Sequence, residues 1–119
     1  MFYKNKNYES AIATVKIEFG KLLGLETDEE AFVVLKELPS IMMARLTDAQ
    51  DKGGEALMKF FKEVLPGIIK THNLMENEEK MMSNKDVVDL IYEKFELTAK
   101  VINDYSNAAF FTRMNKKQG

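Results

Sequence analysis

Few residues in this chain have types and spacing that could support catalysis or hold a metal ion. His72 is the only histidine, and it lies one helical turn before Glu76, a spacing that can bring an imidazole and a carboxylate to one face of a helix. The polar, acidic stretch that begins at Asn73 makes these two residues a poor ligand pair, and a multi-histidine metal site is excluded. We therefore interpret His72 as a surface histidine near a helix end.

The other signatures of catalytic or ion-binding chemistry are incomplete. The segment from Asp48 to Glu55 resembles a calcium loop, but Lys52 and Lys59 fall where oxygen ligands belong. Gly53-Gly54 lacks the lysine and the hydroxyl of a phosphate-binding loop. The serines lie in neither a nucleophile elbow nor a histidine-adjacent context; they are Ser10, Ser40, Ser83 and Ser106. Because the chain also has no cysteine, we predict a non-enzymatic protein without catalytic, cofactor-binding or metal-binding residues.

The composition predicts a small intracellular domain. The 119 residues suffice for one domain with a modest core, so residues 1–119 are treated as a single domain. The absence of cysteine argues against a small secreted domain that disulfides would stabilise. Met1–Asn7 has no signal-peptide pattern, and no apolar run approaches the roughly 18 residues needed to span a bilayer. The net charge of −2, with both signs interspersed, predicts neither a nucleic-acid nor a membrane partner.

Apolar spacing predicts helices through most of residues 1–82. Tyr8 to Leu23 carries a helical stripe, although the alternating β-branched run Ile12–Ile17 leaves a strand as the competing interpretation. Thr27 and Glu30 match a capping box, which predicts a helix through Leu38.

The middle of the chain is predicted to contain short helices separated by breaks. Pro66-Gly67 must kink or stop one of them, because proline removes a backbone donor and clashes with the preceding turn; Ile68 to His72 is where that helix could resume. The other segments are a helix from Ile41 to Asp51 capped by Ser40, a break at Gly53-Gly54, an amphipathic helix from Glu55 to Leu65 and a loop from Asn73 to Met82.

The most extended pattern occupies the last third of the chain. From Ser83 to Met114 apolar residues recur at steps of three, four and seven, which predicts one long amphipathic helix before a polar tail, residues 115–119. Ser83 is a candidate N-cap, and Asp86 lies in the first turn, where the helix dipole favours negative charge. This helix would be roughly 45 Å long, whereas a compact domain of this size is about 35 Å across. We therefore predict an all-α, elongated helical domain that buries this stripe against partners.

Phe110-Phe111 marks the end of the stripe where a partner is expected. Adjacent phenylalanines on a helix point about 100° apart, so one compact core rarely buries both. The alternative is that Phe110 packs on the N-terminal elements while Phe111 is partly exposed, and replacing Phe111 should affect association more than folding. Asp in place of Phe95 or Ile102 should disrupt folding or assembly, because an unpaired buried charge is costly. The predicted protein-binding residues are Val88, Ile91, Phe95, Ile102, Tyr105, Phe110 and Phe111.

The eight methionines, which include the pairs Met42-Met43 and Met81-Met82, allow two interpretations. Flexible thioethers suit surfaces that accept varied apolar partners, but they are also ordinary core filler. We interpret most of these methionines as core filler or as a consequence of composition.

The chain as a whole resembles the small tail assembly chaperones of long-tailed, non-contractile bacteriophages, especially those that infect low-GC Gram-positive hosts. The resemblance lies in the length, the absence of cysteine, the mild acidity and the mainly helical plan. It extends to the closing helix Asp86–Phe95 and the short polar tail Asn115–Gly119. Because it concerns the general plan and no single motif, it transfers no functional residue.

The resemblance implies a protein of the host cytoplasm that self-associates and binds the long helical tape-measure protein before the tail tube polymerises around it. It also implies a longer, frameshifted form that recruits tail tube subunits, and absence from the mature virion. A long amphipathic client would aggregate if its apolar stripe stayed uncovered. Two other classes stay open: a structural head or tail connector component, and a small helical transcriptional regulator, although no helix-turn-helix with a basic recognition helix stands out.

Overall fold

The computed structural model describes residues 12–20 and 31–108, which form a three-stranded antiparallel sheet and four helices. In chain order the elements are β1 (Thr14–Glu18), β2 (Phe32–Lys36), α1 (Ser40–Lys52), α2 (Gly54–Ile68), β3 (Ile69–His72), α3 (Asn84–Ile91) and α4 (Phe95–Ser106). The fold is therefore α+β, and the predicted all-α, elongated helical domain is wrong.

The sheet has the order β1-β2-β3, with both neighbouring pairs antiparallel. Ile17 of β1 pairs with Val33 of β2, and both side chains are fully buried, as is that of Leu35. The alternate residues of β1 are exposed, including Lys16 and Glu18. One face of the sheet therefore lies against the core and the other faces outward.

Thr14–Glu18 and Phe32–Lys36 form strands within segments where helices were predicted. The competing interpretation of Ile12–Ile17 as a strand is correct, because its β-branched residues alternate between core and solvent. The helix predicted from the capping box through Leu38 is wrong in its described part, where Phe32–Lys36 is a strand. The capping-box residues themselves lie outside the described residues.

The prediction that Pro66-Gly67 interrupts a helix is correct only in part. Both residues lie in the last turn of α2, which ends at Ile68 and is followed at once by β3 rather than by a resumed helix. The side-chain amide of Asn84 donates to the carbonyl oxygens of Pro66 and Ile69, at 3.2 and 3.3 Å. This contact satisfies carbonyls at a helix end, where intrahelical partners run out.

The prediction of one long C-terminal helix is wrong, because the helix is interrupted between Ile91 and Phe95. Ser83 caps α3 as expected, with its Oγ accepting from the N–H of Asp86 at 3.1 Å, but α3 ends after eight residues. Lys94 is extended (φ −126°, ψ 129°) and α4 begins at Phe95. The two helices are about 12 and 18 Å long, so neither exceeds the dimensions of a compact domain.

The helices cover the inner face of the sheet. The α4 helix packs on β1, α2 contacts β2, and α2 also packs against α1, α3 and α4. The Phe61 ring lies at the centre, in edge-to-face contact with Phe60 and Tyr105, each with centroids 5.6 Å apart. The buried apolar side chains of the described segments form one cluster between the helices and the sheet.

Candidate protein-binding surfaces

Three of the predicted protein-binding residues belong to the core. Val88 and Ile91 of α3 are buried, and Tyr105 of α4 is completely inaccessible. The Tyr105 hydroxyl donates to the carbonyl of Lys36 at 3.0 Å, which ties the end of α4 to the end of β2. These side chains stabilise the fold and present no surface to a partner.

The remaining predicted interface residues have different environments. Ile102 is half-buried and packs against the core cluster, whereas Phe95, the first residue of α4, is 72% exposed. Phe110 and Phe111 lie outside the described residues. Of the seven predicted residues, Phe95 is therefore the one that the described structure presents to solvent as a large apolar side chain.

The interpretation of His72 as a surface residue near a helix end is wrong. His72 ends β3, is buried, and faces Val33 in the register of the sheet. Its Nδ1 accepts a hydrogen bond from the backbone N–H of Leu74 at 3.0 Å. The imidazole therefore fixes the chain where it leaves the sheet.

A short hairpin follows β3 in the segment predicted as a loop. Met75 pairs with Met81, and the N–H of Met82 donates to the carbonyl of Leu74 at 3.0 Å. Asn77 closes the turn, with its Oδ1 accepting from two backbone N–H groups, those of Glu79 and Lys80, at 2.9 and 3.1 Å. This side-chain turn explains why a polar, acidic sequence forms an ordered connection.

The hairpin has one inner and one outer face. Leu74 is buried and Met82 packs against the core, whereas Met75 and Met81 are 48% and 49% exposed. This alternation follows from antiparallel pairing, in which directly opposed residues point to the same side. Two flexible thioethers are thereby held side by side on the surface.

From the alternation of side chains along an extended chain we infer that Met75 and Met81 extend the outer face of the sheet. Along the strand, Thr71 points outward and His72 inward, so Met75 again points outward by the same alternation. The outer face also contains two half-buried apolar side chains of β2, Phe32 and Val34. We call Phe32, Val34, Met75 and Met81 the outer strip.

Charged residues flank the outer strip. The Lys16 ammonium lies 4.5 Å from the centroid of the Phe32 ring, a cation–π geometry, and 3.4 Å from a carboxylate oxygen of Glu18. At the hairpin, Lys80 pairs with Glu76 at 3.3 Å. The surface is therefore an apolar strip between mixed charges, an arrangement suited to binding another protein.

Two tyrosines have perturbed acidity for structural reasons. Burial raises the pKa of Tyr92 to about 12, and its hydroxyl donates to the carbonyl of Met58 in α2. Burial also raises the pKa of Tyr105 well above its usual value. Both shifts favour the neutral phenol, which is the form that donates the observed hydrogen bonds.

Among residues 12–20 and 31–108, no group of three or more histidine, aspartate or glutamate side chains could hold a metal ion. No helix within these ranges combines the length and apolar character needed to cross a bilayer.

The architecture defines the class as a small α+β domain with helices on one side of a three-stranded antiparallel sheet. No family model matches the chain, and neither a curated protein nor a solved structure matches it.

The sequence prediction did not identify the outer strip. The available signal was the alternation around Asn77, with Leu74 and Met82 inward and Met75 and Met81 outward. The polar composition of the intervening residues led to the prediction of an unstructured loop.

Proposed function

We propose that this chain is a non-enzymatic protein-binding domain that acts as a tail assembly chaperone of a long-tailed, non-contractile bacteriophage. In this role it covers apolar segments of the helical tape-measure protein in the host cytoplasm before the tail tube polymerises. The observation that carries the proposal is the outer strip, because within the described residues it places adaptable apolar side chains on the face turned away from the core.

The chemistry of the outer strip suits a client with a repeating amphipathic pattern. Methionine has three rotatable bonds and a polarisable sulfur, so Met75 and Met81 can adapt to different apolar side chains. Phe32 supplies a rigid ring, held on one side by Lys16. An amphipathic helix could lay its apolar stripe along these residues. Many weakly bound copies along one long client would gain avidity.

The corrected fold changes the basis of the proposal. The mainly helical plan no longer contributes to the resemblance, because part of the chain forms a sheet. The length, the absence of cysteine, the mild acidity and the tail Asn115–Gly119 still contribute, whereas the closing helix Asp86–Phe95 is interrupted after Ile91. Self-association and recruitment of tail tube subunits through a frameshifted form belong to the same proposal.

Co-expression with the tape-measure protein encoded nearby tests the proposal. We expect the chain to increase the soluble fraction of that protein and to co-elute with it in size-exclusion chromatography. Unchanged client solubility without a complex would contradict the chaperone function. Detection of the chain in purified virions would instead favour a structural connector component, and DNA binding with steep salt dependence would favour a regulator.

A double substitution in the outer strip tests the proposed binding surface. Met75→Ser with Met81→Ser should leave the fold intact, because both side chains are about half exposed, and should decrease client retention severalfold. Ile41→Ser is the matched control, since Ile41 is 68% exposed at the start of α1, outside the outer strip. If the double variant retained the client as well as the wild type does, the outer strip would not be the binding surface.

A further inference from the structure

The β1 strand lies at an edge of the sheet. Its ladder with β2 uses odd-numbered residues: the N–H of Phe19 donates to the carbonyl of Ala31, and the N–H of Glu37 donates to the carbonyl of Ala13, both at 2.9 Å. In an antiparallel ladder the residues between these positions direct their N–H and C=O groups to the other side. Lys16 and Glu18 therefore present backbone donors and acceptors along the free edge, where no described strand pairs with them.

From this edge we infer that β1 pairs antiparallel with β1 of a second copy of the chain, about a two-fold axis at Ile17. In this register Lys16 of each copy lies opposite Glu18 of the other. The two residues have even numbers, so both direct their backbone groups outward and can exchange a pair of hydrogen bonds. Directly opposed side chains lie about 4.5–5.5 Å apart at Cβ, within reach of an ion pair.

Charge complementarity selects this register from the neighbouring ones. A shift of the two-fold axis to Lys16 places the two copies of Lys16 opposite each other, and a shift to Glu18 does the same with two carboxylates. Like charges directly opposite each other destabilise a strand pair. Registers with odd offsets pair an outward-directed residue with an inward-directed one, so the ladder cannot form. Among the registers that pair outward-directed residues, the axis at Ile17 is the one that places Lys16 opposite Glu18.

The same register keeps apolar side chains on the inner face. Ile17 lies opposite Ile17 of the second copy, and Val15 lies opposite Phe19 of that copy; the inner side chains of β1 already belong to or pack on the core. The two sheets thereby join into one of six strands, with the helices of both copies on one side. The outer strips of both copies lie on the other side.

The interface formed by one five-residue strand is small, so the dimer is reversible. We expect a dissociation constant on the order of 100 μM at low ionic strength. The inference gives a geometry to the self-association that the proposed function includes, and because it requires no client, sedimentation of the chain alone and client co-elution can fail separately.

Charge reversal combined with sedimentation analysis tests the register. Lys16→Glu or Glu18→Lys alone places like charges opposite each other twice per dimer and should weaken association about tenfold. The double variant K16E/E18K restores opposite charges and should associate as the wild type does. An equimolar mixture of the two single variants should also associate, because each chain then meets the opposite charge. Thermal unfolding of each variant confirms that it is folded.

Variants of a surface ion pair elsewhere provide the control. Asp48 and Lys52 form an exposed pair on α1 at 2.9 Å, so Asp48→Lys and Lys52→Glu change the net charge equally without touching β1. Association should not change in these variants. A wild-type chain that stays monomeric up to about 1 mM would overturn the inference, as would single and double β1 variants that associate equally.

Discussion

The hydroxyl of Tyr92 connects two helices through a single hydrogen bond. It donates to the carbonyl of Met58 in α2, and the Lys62 ammonium lies 5.9 Å from the ring centroid. Burial raises the pKa of Tyr92 to about 12 because the ionised phenolate would lose hydration inside the protein. The residue thus holds the break between α3 and α4 against α2 as long as it stays neutral.

This pKa shift predicts a loss of stability in alkali. The unfolded phenol ionises near pH 10 and the folded one near pH 12, so the folded state retains the proton that the unfolded state releases between these values. The contribution of Tyr92 is therefore complete below pH 10 and is lost as the pH rises towards 12. The free energy of unfolding in urea should show this decrease from pH 8 to pH 12. In the Tyr92→Phe variant it should decrease less steeply. Equal slopes in the two proteins would contradict this assignment.

Phe95 and Ile102 differ in solvent exposure, although the sequence prediction treated them alike. Phe95→Asp should change the free energy of unfolding by no more than about 0.5 kcal/mol, because the ring is 72% exposed and Asp is favourable in the first turn of a helix. Ile102→Asp should cost about 2–3 kcal/mol, because it places a charge against the core cluster. Chemical denaturation measures the free energy of unfolding of both variants. Similar losses in the two would show that the difference in exposure does not determine the cost of the substitution.

At the scale of elements, the break between α3 and α4 depends on a buried threonine. The Oγ of Thr98 donates to the carbonyl of Ile91, the last residue of α3, at 2.9 Å, and lies 3.3 Å from the carbonyl of Lys94. The first contact occupies the Ile91 carbonyl, which a continuous helix would have satisfied within its own backbone. The Lys94 carbonyl also accepts from the backbone N–H groups of Leu97 and Thr98. No proline or glycine occurs between Ile91 and Phe95, so local sequence does not signal the break.

Removing the Thr98 hydroxyl should therefore destabilise the protein. Thr98→Val keeps the shape but leaves the Ile91 carbonyl without this donor in the interior, which should cost about 1–3 kcal/mol. Thr47→Val is the matched control, since the Thr47 hydroxyl bonds to the carbonyl of Met43 within the regular helix α1. Unfolding by denaturant should show a smaller effect for Thr47→Val. A cost at Thr98 no larger than at Thr47 would disprove its role at the break.

At the scale of the whole molecule, the two faces of the sheet have different environments. Its inner face and the helices enclose the core, whereas its outer face and the β1 edge stay open in the described part of the chain. The proposed client surface and the proposed dimer edge meet at Lys16, whose ammonium lies over the Phe32 ring, whereas Met75 and Met81 belong to the client surface alone. Pairing through β1 would place two outer strips on one side of a joined sheet, which would increase the avidity for a long client.

The sequence determined the local features whose causes lie within a few residues. The cap at Ser83 and a helix close to Ser40–Lys52 were predictable because backbone donors, side-chain acceptors and apolar spacing act over one or two turns. The alternating pattern of Ile12–Ile17 also indicated a strand, which stayed open as an alternative to the helix. The exposed methionine pair was not predicted, because it depends on pairing across a turn.

Only the tertiary structure decided the architecture. The strands β2 and β3 exist because their backbone groups find partners in distant segments, and a strand has no hydrogen bonds of its own. The long stripe after Ser83 divides into two helices, and the interruption is bridged by the Thr98 hydroxyl on the Ile91 carbonyl and anchored to α2 by the Tyr92 hydroxyl. Periodicity along the chain shows which side chains are apolar, but whether they face a core or a partner depends on contacts between residues far apart in sequence.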